Sequence, residues 1–176
     1  YADELNYRSE YSLNVLGPEE GNYHPYEPEI AAKYFARMIA VNQGMDISVG
    51  TSGTNEVGRP VEAAMIRNMA YLLDGLKAYP FEVQVESESD LMRYYTFKDE
   101  AGNLYVFLWN DGEAMVESQD ISGSVFIEGK NAQAITAYDP YLMNVQELVF
   151  ENATEGIRVE NLLIRDYPLV YKIELN

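Results

Sequence analysis

The chain has 176 residues, 47% of them hydrophobic, which suits one packed core or a core with a flanking piece and argues against disorder. It is too short for a complete eight-fold β/α barrel, which takes about 200 to 250 residues. With 29 acidic against 12 basic residues the net charge is −17, which repels phosphate backbones and anionic membranes, and the absence of cysteine excludes a disulfide framework or a thiolate metal site.

No nucleic-acid or membrane partner is therefore expected. No run of about 18 apolar residues occurs and no basic n-region opens the chain. The opening at Tyr1, inside a patterned segment, reads as that of a fragment or a processed product. Tyrosine is abundant, at 15 residues. It favours strands, and its ring and hydroxyl suit half-exposed sugar-binding surfaces.

The first patterned stretch is "RSEYSLNVLG", residues 8–17, a short apolar run read as a strand, with the lone acid Glu10 inside it. Next, "NYHPY" places Tyr23, His24 and Tyr26 in one proline-containing loop, residues 22–26. Exposed rings there can stack on the apolar faces of a sugar, and His24 or Asn22 can bond a hydroxyl. The plainer reading is a packed tyrosine loop. "YEPEIAAKYFARMIAVNQG" is a helix: Pro28 suits its first position, Glu29 complements its N-terminus and Gly44 suits its stop. Ile30, Tyr34 and Met38 form a stripe along it. "MDISVG" reads as a short β-branched strand. "RPVEAAMIRNMAYLLDGLKAYP" is a second helix, with Pro60 at its start and Ile66, Met69, Leu73 and Leu76 as its stripe. Residues 1–80 thus read as strand, helix, strand, helix.

After Pro80 the apolar period becomes two. "FEVQVES", "LMRYYTF", "NLYVFLWN", "SVFIE", "QAITAYD", "VQELVFE", "GIRVENLLI" and "PLVYKIEL" follow as strands bounded by turn residues. "KDEAG" is a hairpin loop between the second and third of these. The expected fold is α+β, mainly β: an antiparallel β-sandwich over residues 81–176, preceded by a short β-α-β-α segment over 1–80. The expected sandwich core includes Val83, Val85, Tyr95, Phe97, Val106, Leu108, Phe126, Ile135, Leu148, Phe150, Leu163, Leu169 and Tyr171. Trp109 lies on the most apolar strand and is read as core.

This order of elements, with "YVFLWNDG", "AITAYDPYLMNVQEL" and "LLIRDYPLVYKIEL" in the later half, resembles the C-terminal part of barrel-type glycoside hydrolases. There the last two β/α units of the barrel are followed by a packed β-sandwich. Asp139, Pro140 and Leu148 match one hairpin motif of that family, and Asp166 and Pro168 match the entry to its terminal strand. The resemblance covers the whole chain as a pattern, though each motif is mainly turn chemistry.

Such enzymes use two carboxylates at barrel strand ends. The resemblance implies that Glu10 stands near the place of the nucleophile, at the end of the seventh strand. The bland alternative is a surface acid in a chain rich in acids. The partnering acid would belong to a fourth strand that this chain does not contain. Asp46 and Glu56 flank "ISVG" and read as solvating charges. No metal or cofactor is expected: a lone histidine makes no metal site, and no calcium-loop pattern is present. Asn152-Ala153-Thr154 is a glycosylation sequon only in a chain that a eukaryote secretes. The resemblance implies a mainly structural, accessory portion of a glycoside hydrolase. Its expected partners are carbohydrate and either an N-terminal barrel portion or a second copy of the chain. The alternatives are a stand-alone carbohydrate-binding sandwich and a non-catalytic assembly domain.

Overall fold

The computed structural model describes residues 26–50 and 59–176. Two helices and ten strands make up this part, and the strands form two antiparallel sheets. The larger sheet holds six strands in the order β1-β3-β4-β10-β6-β7 and the smaller four in the order β2-β5-β9-β8. Their ranges are β1 Lys77–Ala78, β2 Gln84–Ser87, β3 Met92–Lys98, β4 Leu104–Asn110, β5 Ile121–Glu128, β6 Ala132–Asp139, β7 Asn144–Glu147, β8 Glu151–Ala153, β9 Gly156–Ile164 and β10 Leu169–Leu175. Helix α1 spans Pro28–Gly44 and α2 spans Pro60–Leu73. The mainly β, sandwich-like α+β fold is as the period-two pattern predicts.

The centre of the molecule is β4. It is apolar on both faces because both are covered. Leu104, Val106 and Leu108 are buried on one face, and Phe107 and Trp109 on the other. Antiparallel register places Tyr95 opposite Phe107, and the Tyr95 ring stacks on Trp109 at 6.0 Å. Helix α1 lies against this second face. Gly44 closes the approach: a Cβ there would stand 2.0 Å from the Tyr95 ring. Its role is therefore close packing rather than the expected stop, and the turn after the helix has Asp46 in the left-handed region at φ 59°. Both helices begin as their prolines predict, with Pro at the first turn, where its missing N–H costs nothing.

Four expectations change at element boundaries. "MDISVG" forms no strand over its described residues 45–50. Helix α2 stops at Leu73, Gly75 turns the chain at φ 73°, and Lys77–Ala78 already pairs with β3. "VQELVFE" is not one strand: β7 ends at Glu147 in the larger sheet, residues 148–150 cross the sandwich, and Glu151 begins β8 in the smaller. In β9 the alternation slips. Ile157 and Val159 are buried, then Leu162 and Ile164, while Leu163 is 41% exposed. Asn161 takes φ 54°, and the β5 pairing shifts between Gly123 and Val125. This bulge reverses the phase, so Leu163 is not a core residue. Phe126 faces outward from the smaller sheet, half-buried beneath the Arg158 guanidinium at 5.3 Å. A single hydrophobic cluster joins both helices and both sheets.

Candidate functional site: the ionic seam between helix and sandwich

Helix α1 is buried along nearly its whole length. Ala32, Ala36 and Ala40, fully buried at i, i+4, form a row of small side chains that lets neighbours come close. Lys33 and Arg37, also i, i+4, are each 1% exposed. A cation is costly to bury unless it is paired and hydrogen-bonded, and both of these are.

Lys33 Nζ donates to Asp166 Oδ2 at 3.1 Å, to Ser118 Oγ at 2.7 Å and to the Met115 carbonyl. It also lies 5.6 Å from the Tyr167 ring centroid. Arg37 reads backbone: it donates to the Asp166 carbonyl from Nε at 2.8 Å and to the Gly112 carbonyl at 2.8 Å. Asp111 lies 3.5 Å from the same guanidinium, and Asp111 is itself held by Arg93 and by the Trp109 indole N–H. The helix is thereby tied to two loops of the sandwich, the one after β4 and the one between β9 and β10. Asp166, read from sequence as turn chemistry, is the anion at the middle of this seam. Its Oδ2 also accepts the Met115 N–H at 2.8 Å, while Oδ1 is buried without a partner.

The second motif aspartate lies in an adjoining network. Asp139 Oδ1 accepts the N–H groups of Tyr141 and Leu142, which shapes the turn after Pro140. Its Oδ2 receives Arg165 at 2.7 Å, and the Tyr167 hydroxyl bonds to the same carboxylate. Burial works against the Arg165 cation, yet Tyr167, Asp139 and Asp120 together raise its pKa above the usual value. Burial pushes the Tyr167 phenol well above its ordinary range, and nearby Asp139 adds to this. Both motif aspartates are therefore committed to holding loops in place.

Of the residues singled out as a site in the sequence, Glu10, Tyr23 and His24 lie outside the described residues. Tyr26 is 40% exposed, and its ring packs on Tyr34 with centroids 4.9 Å apart. Tyr34 in turn lies 5.1 Å from the Arg37 guanidinium and bonds the Ala114 N–H, so Tyr26 joins the edge of the seam. Trp109 is fully buried, as expected for a core residue. The sequon amide of Asn152 is used internally: it bonds both the N–H and the carbonyl of Ala132, pinning β8 to β6 across the sandwich. Another buried acid is Glu62 in the first turn of α2, whose Oε2 has no partner. Among the described residues no group of three or more histidine, aspartate or glutamate side chains could hold a metal ion.

Sequence reasoning missed Lys33 and Arg37. The signal was present: two cations four residues apart in a helix with apolar residues on all sides leave no polar face to be solvated. No family model matches the chain, and no curated protein is significantly similar to it.

Proposed function

We propose that this chain is the C-terminal portion of a glycoside hydrolase, in which the sandwich acts as a structural, accessory partner of a carbohydrate-cleaving barrel. One observation carries the reading. Lys33 and Arg37 join α1 to the loops around Asp166 through buried ionic bonds, so helix layer and sandwich share one core. A sandwich that buttresses the last helices of a barrel needs a rigid seam of this kind. Of the two motifs that carry the resemblance, the one at Asp166 supplies the seam's anion, and the one at Asp139 holds the adjoining loop through Arg165. The carboxylates described at the seam are committed to cations and backbone N–H groups, which suits a supporting role better than proton transfer.

The test compares the chain alone with its parent reading frame, including the sequence upstream of Tyr1. Both are assayed for release of reducing sugar from plant and algal polysaccharides and for aryl-glycoside hydrolysis. The chain alone is expected to be inactive and the parent active. Turnover by the chain alone that disappears in Glu10→Gln would make this an enzyme in its own right. A parent frame without an acid-bearing β/α barrel would remove the reading altogether.

A further inference from the structure

The two sheets differ in width, six strands against four, and the difference leaves an overhang. At one side of the larger sheet β7 is the edge strand. Facing it, β8 pairs with only Gly156–Arg158 of β9. Beyond Arg158, β9 has no strand on that side among the described residues. Between the overhang and this bare edge lies a cleft of about 490 Å³, within the size range of small-molecule sites.

Its floor is apolar, with Leu162, Leu169 and Tyr171 buried there. Its polar walls combine the amides of Asn144, Gln146 and Asn161 with the carboxylates of Glu147 and Glu160 and the paired Asp139 and Arg165. Register places Asn144 opposite Asp139, Gln146 opposite Ala137, and Ala137 opposite Tyr171. Residues paired in this way share a face, so Asn144 and Gln146 point inward, where a sandwich normally carries apolar side chains. From the other sheet the bulged Asn161 lines the same space. Among the described residues no hydrogen bond ties down any of the side chains of Asn144, Gln146 and Asn161. Two non-glycine residues with left-handed backbone, Met143 and Asn161, flank the cleft. For methionine that conformation is strained.

We propose that this cleft binds a segment of a neutral saccharide. A carboxamide offers both donors and an acceptor, which matches a hydroxyl that is itself both. The apolar floor suits the C–H face of a pyranose ring. An anionic ligand is disfavoured, because Arg165 is already held by Asp139 and Asp120 and the chain carries a net charge of −17. An added peptide strand is disfavoured too. The Leu163 carbonyl is occupied by the Tyr171 hydroxyl at 2.9 Å, and the bulge at Asn161 breaks the regular spacing that strand addition requires. The ligand class rests on the carbohydrate reading of the proposed function, but the cleft adds a binding site away from any catalytic carboxylate.

The full chain is titrated calorimetrically with hexaoses of the cello, xylo, manno and galacto series. At least one is expected to bind saturably. Gln146→Ala and Asn161→Gly should each weaken that binding about 2- to 10-fold, the effect of one lost hydrogen bond. Glycine keeps the left-handed backbone at position 161, so folding is retained there. Tyr71→Ala, on the exposed side of α2, should leave binding unchanged. No saturable binding to any of the four, or binding that neither cleft variant weakens, would overturn the proposal. So would a strand-forming peptide that binds while every hexaose fails. Polysaccharide cleavage by the parent frame without cleft binding would end this inference and leave the proposed function standing. Cleft binding without cleavage by the parent frame would do the reverse.

Discussion

The two helices pack against each other, yet they are held in different ways. Helix α1 is buried from Ala31 to Asn42 with one break, and its two cations are bonded into sandwich loops. Helix α2 buries Glu62, Met65 and Met69, keeps Tyr71 74% exposed and donates a hydrogen bond from Asn68 to the Pro140 carbonyl. Burial and polar bonding both separate them, since α1 buries eight apolar side chains, from Ala31 to Val41, and α2 only Met65 and Met69. Burying Lys33 beside Asp166 converts a helix that would rest on a sheet into one with fixed register. Helix α2 buries no cation and packs mainly against α1.

The sharpest way to break this contrast is to remove one cation. Lys33→Ala leaves the Asp166 carboxylate buried without its partner and should cost about 3 to 5 kcal/mol in urea unfolding. Replacing both members, Lys33→Met with Asp166→Leu, should recover most of that loss, because no lone charge remains. Tyr71→Ala on α2 should change stability by less than about 0.5 kcal/mol. A single-site loss at Lys33 no larger than at Tyr71 would mean that α1 is held by apolar packing alone.

The sandwich beneath α1 offers a second comparison, between its central and edge strands. Leu108 on β4 is fully buried. Leu108→Ala should cost about 2 to 5 kcal/mol through lost burial and an unfilled cavity. Val145 on β7 is 63% exposed, and Val145→Ala should be near neutral. Equal losses at the two positions, measured by chemical denaturation, would mean that β4 is not central.

These contrasts show what a one-dimensional pattern can carry. The strands, the "KDEAG" hairpin and the helix starts follow from local chemistry: alternation, turn residues and proline at the first helical position. The β9 bulge at Asn161 was hidden, because an asparagine in a strand-like run looks like a surface residue until its φ is seen. The division of "VQELVFE" between two sheets was hidden for a similar reason, since alternation does not say which sheet a strand joins. The seam was hidden more deeply. Asp166 is separated from Lys33 by 133 residues, and only the fold brings them together. Asp139 and Asp166 carried the resemblance, yet turn chemistry alone gave no hint of their ionic partners.

Alkaline pH tests the tyrosines on the sandwich side of the comparison. Burial raises the phenol pKa of Tyr105, Tyr167 and Tyr171, and Asp99 beside Tyr105 and Asp139 near the other two push the same way. A phenol with a raised folded value holds its proton more tightly in the fold. Its contribution to stability is complete below the unfolded value of about 10 and is lost as pH rises through the folded values. Followed by phenolate absorbance, these tyrosines should ionise late and together with unfolding. Early, independent ionisation of all tyrosines would place these three at the surface.

The smallest effect is expected where the helix layer meets the edge of the larger sheet. Lys98 on β3 lies directly opposite Lys77 on β1 in antiparallel register. Like charges in that position repel. The same ammonium lies 5.0 Å from the centroid of the Tyr79 ring, an attraction of about 0.5 to 1 kcal/mol at an exposed site. Lys98→Ala removes both terms, and the opposite signs should leave a net change under about 0.5 kcal/mol. Lys98→Met separates them, since it keeps apolar contact with the ring while ending the repulsion. It should be neutral at high salt, where the repulsion is screened, and slightly stabilising at low salt. A loss above about 1 kcal/mol for Lys98→Ala, unchanged by salt, would show that β1 is held to β3 by packing of this side chain rather than by its two backbone pairs.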